Sequence, residues 1–230
     1  MLFRQLFDPA SSTFTYLVAD DATGEAALID PVREQLERDV KLVKELSLRL
    51  VYSLDTHCHA DHVTAAGALR ERLGVRTVTG IHGADCASLM LGHGDVLQVG
   101  AIGVQVLETP GHTDCSVSYR VNDRVFTGDA LLIRGCGRSD FQNGDPSILY
   151  DSITKVLFSL PDHTLLYPGH DYKGMTVSTI GEEKRLNPRV SGKSRQEFVA
   201  IMNALNLPPP AKLAEAVPAN RACGMGNQEH

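Results

Sequence analysis

The densest group of chemically active side chains is the segment 57–62, which reads His-Cys-His-Ala-Asp-His. Imidazole nitrogens and carboxylate oxygens are ligands that divalent metals of intermediate and hard character prefer. A packed core does not explain this spacing, because each buried polar group would need its own hydrogen-bonding partner. A solvated loop would explain any one of these histidines, but not three of them within six residues. The segment therefore predicts a metal site.

Three further polar residues stand at comparable positions. His112 follows Thr-Pro-Gly, Asp129 follows Phe-Thr-Gly, and His170 follows Tyr-Pro-Gly. Each comes after an apolar segment that resembles a strand, at a glycine that lets the backbone turn sharply. Taken alone, each could equally be a turn aspartate or a surface histidine. Together with segment 57–62 they predict one site, built by loops at one edge of a sheet.

Apolar periodicity predicts the elements that must position these loops. The predicted strands cover residues 14–19, 26–29, 49–54, 75–78, 96–99, 104–108, 117–121, 125–127 and 164–167. The predicted helices cover residues 34–46, 63–73, a segment that begins at Pro146, 178–186 and 194–205. No linker or repeat divides the chain. We therefore expect one α/β domain over residues 1–230, in which 178–230 forms a C-terminal helical and loop extension with a proline-rich tail.

Composition excludes several classes of protein. Hydrophobic residues make up 43% and charged residues 22%, which excludes a disordered chain, a collagen-like repeat and a coiled coil. The formal net charge of −6 argues against nucleic acid or an anionic membrane surface as a partner. No uncharged apolar stretch approaches the roughly 20 residues that a membrane span needs. Asp8 interrupts the N-terminal segment where a secretory signal would stay apolar, so we expect a cytoplasmic protein.

The five cysteines are scattered, odd in number and without a Cys-x-x-Cys pair. This pattern predicts reduced thiols in a reducing compartment, with no disulfide framework. Cys58 lies between two histidines of the predicted metal site, so its side chain is expected to point away and pack. Cys115 and Cys136 are expected to be small buried hydrophobic residues. No role is assigned to Cys223, which stands close to Arg221.

The four polar segments, taken in order, resemble the metallo-β-lactamase superfamily over nearly the whole chain. They read Thr-His-Cys-His-Ala-Asp-His, Thr-Pro-Gly-His-Thr, Phe-Thr-Gly-Asp-Ala-Leu-Leu and Tyr-Pro-Gly-His-Asp-Tyr. This resemblance implies a four-layer αββα sandwich with metal at one edge of two facing sheets, followed by a short C-terminal helical appendage. Segments 131–142 and 218–224 are similar to those of persulfide dioxygenases within the superfamily. Glyoxalase II enzymes usually differ in the first of these segments and have a longer helical C-terminal domain.

The resemblance to persulfide dioxygenases implies the oxidation of glutathione persulfide, with O2 and water, to sulfite and glutathione. It implies one Fe(II) per chain on His57, His112 and Asp129, with no catalytic residue beyond the metal centre. Two histidines and one carboxylate leave coordination positions open for the persulfide sulfur and O2. The remaining polar residues of the motifs become hydrogen-bonding neighbours of the ligands. These neighbours are His59, Asp61, His62 and His170.

Glutathione persulfide carries two carboxylates, so a chain of net charge −6 needs local cations to bind it. Guanidinium groups grip carboxylates with two parallel hydrogen bonds. Arg138, Lys173 and Arg221 are the candidate cations, and the Tyr172 hydroxyl is a further candidate contact. Arg138 has an alternative role, which is to pair with Asp140 and brace the loop. The resemblance allows a homodimer, and nothing in the sequence identifies a protein partner.

Two other functions stay open at this point. One is a dinuclear glyoxalase II-type hydroxyacylglutathione hydrolase, in which a bridging hydroxide attacks a thioester. In that reading the neighbouring residues become ligands of a second metal; they are His59, Asp61, His62 and His170. The other is a non-catalytic sensor that binds a metal or a persulfide. The complete set of candidate ligands favours catalysis over sensing.

Overall fold

The computed structural model of the chain describes residues 1–225, most of which belong to two facing six-stranded sheets and the helices that cover them. The first sheet contains, in spatial order, β1 (Leu2–Asp8), β2 (Thr13–Ala19), β3 (Glu25–Ile29), β4 (Arg49–Leu54), β5 (Arg76–Gly80) and β6 (Leu89–Leu91). Strands β1 to β3 are antiparallel, and β3 to β6 are parallel. Residues 226–230, the end of the predicted extension, lie outside the described residues.

The second sheet contains β7 (Val96–Val99), β8 (Ile102–Glu108), β9 (Val117–Val121), β10 (Arg124–Gly128), β11 (Leu165–Pro168) and β12 (Ser178–Thr179). All neighbouring pairs are antiparallel except β10 and β11, which run parallel. The carboxyl ends of β10 and β11 therefore lie at the same edge of this sheet.

Six α-helices belong to the described part of the fold. They are α1 (Leu36–Glu45), α2 (Ala66–Leu73), α3 (Pro146–Asp151), α4 (Ile180–Leu186), α5 (Arg195–Asn203) and α6 (Leu213–Arg221). Asp145 caps α3 by accepting hydrogen bonds from two backbone amides of its first turn, and Ser194 with Glu197 forms a capping box on α5. No helix of residues 1–225 is long and apolar enough to cross a membrane.

Three hydrophobic clusters separate four layers. The central cluster, which includes Tyr16, Tyr119 and Phe126, fills the space between the two sheets. The second cluster lies between the first sheet and helices α1 and α2, and the third lies between the second sheet and helices α3 to α5. Strand β2 is covered on both faces, which is why all seven of its residues are buried. The predicted αββα sandwich is confirmed.

Several predicted boundaries differ from the structure for identifiable reasons. The helix predicted from residue 63 begins at Ala66, because Thr64 instead bridges to Val32. The segment predicted as helix from residue 178 starts with strand β12, whose Ser178 and Thr179 pair with β11. The helix that begins at Pro146 passes into a π-helical turn at Ser152–Val156. Strands β1 and β6 were not predicted.

Candidate metal centre

The predicted site residues meet at one edge of the sandwich. His57 follows β4, His112 lies between β8 and β9, Asp129 follows β10, and His170 follows β11. The two sheets are joined there by a backbone hydrogen bond of 2.8 Å from the Val117 amide to the Thr56 carbonyl. Loops from both sheets therefore converge on a single region, as the spacing of the polar residues predicts.

His57, His112 and Asp129 form the first of three groups of side chains that could hold a metal ion; the third, Asp30, Asp55 and His59, shares His59 with the second. The potential ligand atoms of the first group lie within 4.8 Å of one another. His112 Nε2 is 3.6 Å from Asp129 Oδ2, and the His57 and His112 rings are 4.9 Å apart. Asp129 Oδ1 is buried and accepts no hydrogen bond. A buried carboxylate oxygen without a donor is costly, and a cation would stabilise it.

Hydrogen bonds fix which nitrogen of each of these two rings carries a proton. Thr56 Oγ1 donates to Asp30 Oδ2 at 2.9 Å, so it accepts from His57 Nδ1, also at 2.9 Å. His112 Nδ1 donates to the Arg138 carbonyl at 2.6 Å. In the neutral form of each ring, Nε2 is therefore the nitrogen whose lone pair is free to bind a metal. Burial, with the neighbouring His59 and His112, holds the pKa of His57 well below its usual range, which favours the neutral form that a metal ligand needs.

His59, Asp61 and His62 form the second group, and their potential ligand atoms also lie within 4.8 Å of one another. His59 Nδ1 and His62 Nε2 are buried and have no hydrogen-bond partner. His59 Nε2 contacts Asp30 Oδ1 at 3.1 Å. Burial lowers the pKa of His59, but the carboxylates of Asp30, Asp61 and Asp55 together outweigh burial and raise this pKa to about 9.

His170 connects the first two groups. Its Nε2 lies 3.5 Å from Asp129 Oδ1 and 3.6 Å from Asp61 Oδ2. Burial lowers the pKa of His170, while Asp129 and Asp61 raise it, with a net increase. Burial alone would raise the pKa of Asp61, but His170 and His62 hold it well below its usual range. This set of donors fits a metal site, because imidazole nitrogens and carboxylate oxygens face one small region.

Two glycines allow the backbone to approach the first group closely. A Cβ on Gly137 would lie 2.7 Å from His112 Nδ1, and one on Gly169 would lie 2.7 Å from Asp129 Oδ1. Any larger residue at either position would displace a candidate ligand. The sequence presents Gly169 only as part of a turn, whereas the structure shows that its missing side chain leaves room for Asp129.

Arg138, the first candidate substrate contact, is already bonded to other residues of the protein. Arg138 donates to both carboxylate oxygens of Asp140 at 2.6 Å and to the Pro208 carbonyl at 2.6 Å, and its guanidinium lies 4.4 Å from the centre of the Phe141 ring. These are the contacts of the alternative role, in which Arg138 braces the loop. Its binding of substrate stays a prediction.

Tyr172, Lys173 and Arg221 are exposed. The Tyr172 ring is parallel to the His170 ring, with the ring centres 5.9 Å apart, so Tyr172 borders the metal-ligating residues. The guanidinium and ammonium groups of Arg221 and Lys173 are available to solvent. Their roles in substrate binding also stay predictions.

The cysteines follow the sequence-based expectation at three positions and depart from it at two. Cys58, Cys115 and Cys136 are buried free thiols, and burial raises the pKa of Cys58 to about 12. Cys86 and Cys223 form a disulfide, so the expectation of reduced thiols throughout is wrong for this pair. They are 137 residues apart in sequence, and only the packing of α6 brings their Cα atoms to 6.0 Å.

Sequence reasoning missed two buried residues beside the site. Asp30, at the end of β3, accepts hydrogen bonds from the Thr56 amide and hydroxyl and contacts His59. Its position directly after an apolar strand was the available signal, although Pro31 made it resemble a turn residue. Asn220 on α6 contacts the loop that contains His59 and His62. Nothing in the local sequence indicates this long-range contact.

Comparison with known proteins gives a consistent result. The sequence matches the metallo-beta-lactamase superfamily over residues 8–85 and 91–170. It is 50% identical to the mitochondrial persulfide dioxygenase ETHE1 of Homo sapiens, over 98% of this chain and 89% of that protein. The crystal structure of ETHE1 from Myxococcus xanthus superposes with a TM-score of 0.97 at 63% identity, covering 98% of this chain and all of the other.

A hydroxyacylglutathione hydrolase of Bradyrhizobium sp. (strain ORS 278) is more distant, at 36% identity over 94% of this chain and 84% of that protein. This difference in identity favours the dioxygenase resemblance over the glyoxalase II alternative. The fold, the donor set and the nearly complete coverage agree on one assignment. The chain belongs to the metallo-beta-lactamase superfamily and, within it, to the persulfide dioxygenases.

Proposed function

We propose that the chain oxidises glutathione persulfide, with O2 and water, to sulfite and glutathione at one Fe(II) held by His57, His112 and Asp129. The observation that carries the proposal is the orientation of the two imidazoles. Hydrogen bonds from both Nδ1 atoms leave both Nε2 atoms free to bind a metal, close to the buried carboxylate of Asp129, whose Oδ1 accepts no hydrogen bond. Persulfide dioxygenase relatives at about 50% identity support the choice of reaction.

Two histidines and one carboxylate are a ligand set for redox-active Fe(II), which supplies electron transfer to O2 and keeps open positions for substrate. The protein supplies orientation and charge. Asp30 and Thr56 hold the His57 ring, and the Arg138 carbonyl holds the His112 ring. Asp129 supplies the negative charge.

The neighbouring polar residues control charge around this centre in our proposal. His170 lies between the carboxylates of Asp61 and Asp129 and offsets their mutual repulsion. His62 Nδ1 contacts Asp61 Oδ2 at 2.9 Å and so fixes the direction of that carboxylate. Such outer partners orient ligands and tune the metal.

For the substrate, we propose that the exposed side chains at the border of the site contact the glutathione portion. Lys173 and Arg221 offer cations for its two carboxylates, and Tyr172, parallel to His170, offers a hydroxyl group. Arg138, the fourth candidate from the sequence, has the alternative role of bracing the loop in our proposal, because Asp140 and Pro208 already accept its hydrogen bonds. Cytoplasmic residence stays a prediction from the N-terminal sequence, and a possible homodimer stays one from the family resemblance.

The second group of potential ligands, His59, Asp61 and His62, is compatible with one alternative function. His59 Nδ1 and His62 Nε2 are buried without partners, close to Asp61, and they could hold a second metal. A dinuclear site would suit thioester hydrolysis. The dioxygenase assignment is supported by higher identity over more of the chain, so hydrolysis is the weaker candidate.

The test is metal replacement in chelator-treated protein. We expect Fe(II) to restore the formation of sulfite from glutathione persulfide and Zn(II) to restore none of it, because zinc does not change oxidation state. Hydrolysis of a hydroxyacyl glutathione thioester after addition of zinc, together with no sulfite after addition of iron, would overturn the proposal.

A further inference from the structure

The Asn220 side chain, on the C-terminal helix α6, makes three hydrogen bonds to one loop of the metal centre. Its Nδ2 donates to the carbonyls of His59 and His62, both at 2.8 Å, and its Oδ1 accepts from the Thr64 amide at 2.8 Å. Asn220 is 4% exposed, so water does not compete effectively for these bonds. Both donor hydrogens of the side-chain amide and one of its two acceptor sites therefore bond to residues 59–64.

The backbone atoms that Asn220 holds belong to metal-ligating residues or stand beside them. Residues 57–65 form no helix or strand; Val63 and Ala65 bond to the backbone of residues 33 and 31, whereas the carbonyls of His59 and His62 accept from the Asn220 side chain. Thr64 is also held through its hydroxyl, which donates to Asp55 at 2.8 Å. Asn220 and Asp55 thus fix the loop from His59 to Thr64.

Helix α6 is itself anchored on both sides of this contact. The Gly67 amide at the start of α2 donates to the Cys223 carbonyl at 2.7 Å, and the Cys86–Cys223 disulfide ties the end of α6 to the loop after β5. A Cβ on Gly67 would lie 2.6 Å from the Cys223 carbonyl oxygen, so glycine permits this approach. Cys58 Sγ meets the Val217 carbonyl at 3.7 Å on the preceding turn of α6.

We propose that Asn220 is a positioning residue of the metal centre: from α6, its amide holds loop 59–64 in the conformation that directs the His59 and His62 side chains towards Asp61 and the first metal-ligating group. The proposal rests on the presence of a metal site, which is part of the proposed function. It does not depend on the identity of the metal or on dioxygenase activity.

The test uses Co(II) as the probe, added under nitrogen to chelator-treated protein. Asn220→Asp keeps the shape and the acceptor but loses both donors, and Asn220→Ala loses the whole side chain. Asp20→Ala is the control, because Asp20 is also buried and accepts hydrogen bonds from the Ala101 amide at 3.0 Å and the Thr23 hydroxyl at 2.9 Å, in turns that contain no candidate metal ligand. The measurements are Co(II) affinity, the visible Co(II) absorption spectrum, the unfolding temperature and hydrogen exchange in residues 57–65.

We expect both Asn220 variants to bind Co(II) 10- to 100-fold more weakly, with an altered spectrum and faster exchange in residues 57–65. Asp20→Ala should lower the unfolding temperature while leaving the spectrum unchanged. The proposal would be overturned if Asn220→Asp bound Co(II) with the affinity of the wild type and also kept the wild-type spectrum and the wild-type rate of hydrogen exchange. If Asn220→Ala does not fold, Asn220→Asp still decides, because it preserves volume.

The same data separate this proposal from the proposed function. Wild-type protein that binds Co(II) but consumes no O2 after addition of iron would contradict the dioxygenase reaction and leave the Asn220 effect measurable. Unchanged Asn220 variants in an active dioxygenase would contradict the positioning role alone. Hydrogen exchange reports on loop 59–64 whether or not a metal is added.

Discussion

The Nδ1 of His112 lies 2.6 Å from the carbonyl oxygen of Arg138, so the loop that follows Asp129 returns to fix the ring of another candidate ligand. The Arg138 side chain is held in turn by Asp140 and Pro208. Arg138 is predicted from the sequence to contact substrate. Its backbone carbonyl nevertheless lies next to the candidate metal ligands.

This relationship gives Arg138→Ala a specific expected result. The loop loses its brace, so iron content and unfolding temperature should fall while the Michaelis constant for glutathione persulfide changes less than about twofold. A role in gripping a substrate carboxylate predicts the reverse, with iron retained and a Michaelis constant raised about 10- to 150-fold, which corresponds to about 1.5–3 kcal/mol. Asp140→Ala is the matched variant, because it removes the brace but keeps the guanidinium.

Asp129→Asn should lose most of its iron. The amide has the shape of the carboxylate but not its negative charge, which a hard cation favours. The measurement is iron per chain after purification in the presence of Fe(II), with Asp123→Asn as the control at an exposed turn. Full iron occupancy in Asp129→Asn would remove this residue from the ligand set.

Thr56→Val should weaken metal binding about 10- to 100-fold, because the buried hydroxyl connects Asp30 to His57 Nδ1. Without this hydroxyl, the His57 ring can rotate or take the other tautomer. Thr56→Ser keeps the hydroxyl and should bind the metal nearly as wild type does. Titration with Co(II) measures both variants, and equal affinities for Val and Ser would show that the hydrogen bond does not matter.

Reduction of the Cys86–Cys223 disulfide should destabilise the protein. Closing a long loop stabilises a fold by restricting the unfolded chain, typically by about 2–4 kcal/mol. We expect a reductant to lower the unfolding temperature of the wild type and to leave that of Cys86→Ser unchanged. Peptide mapping without reductant should recover Cys86 and Cys223 in one linked pair, and recovery of both as free thiols would contradict the structure.

Much of the fold and the convergence of the site were predictable from sequence, because both depend on local patterns. Strands 49–54, 96–99 and 117–121 agree with β4, β7 and β9 to the residue. His112 and Asp129 follow apolar strands, and the carboxyl ends of β4, β10 and β11 meet at one edge.

What could not be predicted depends on contacts between distant parts of the chain. Asn220 reaches back about 160 residues to His59 and His62. It lies in α6, which forms in a segment expected to be a proline-rich tail and tolerates Pro218 within it. Cys86 and Cys223 have no spacing that indicates a pair. The sequence around Arg138 predicts a substrate contact. Only the structure shows that Asp140 and Pro208 accept its hydrogen bonds.

The most direct test of the central claim is to measure the metal content of the purified protein together with O2 uptake and sulfite formation on addition of glutathione persulfide. We predict about one iron per chain and one sulfite formed for each O2 consumed, as the reaction requires. Two zinc ions per chain, cleavage of a hydroxyacyl glutathione thioester and no O2 uptake would contradict it.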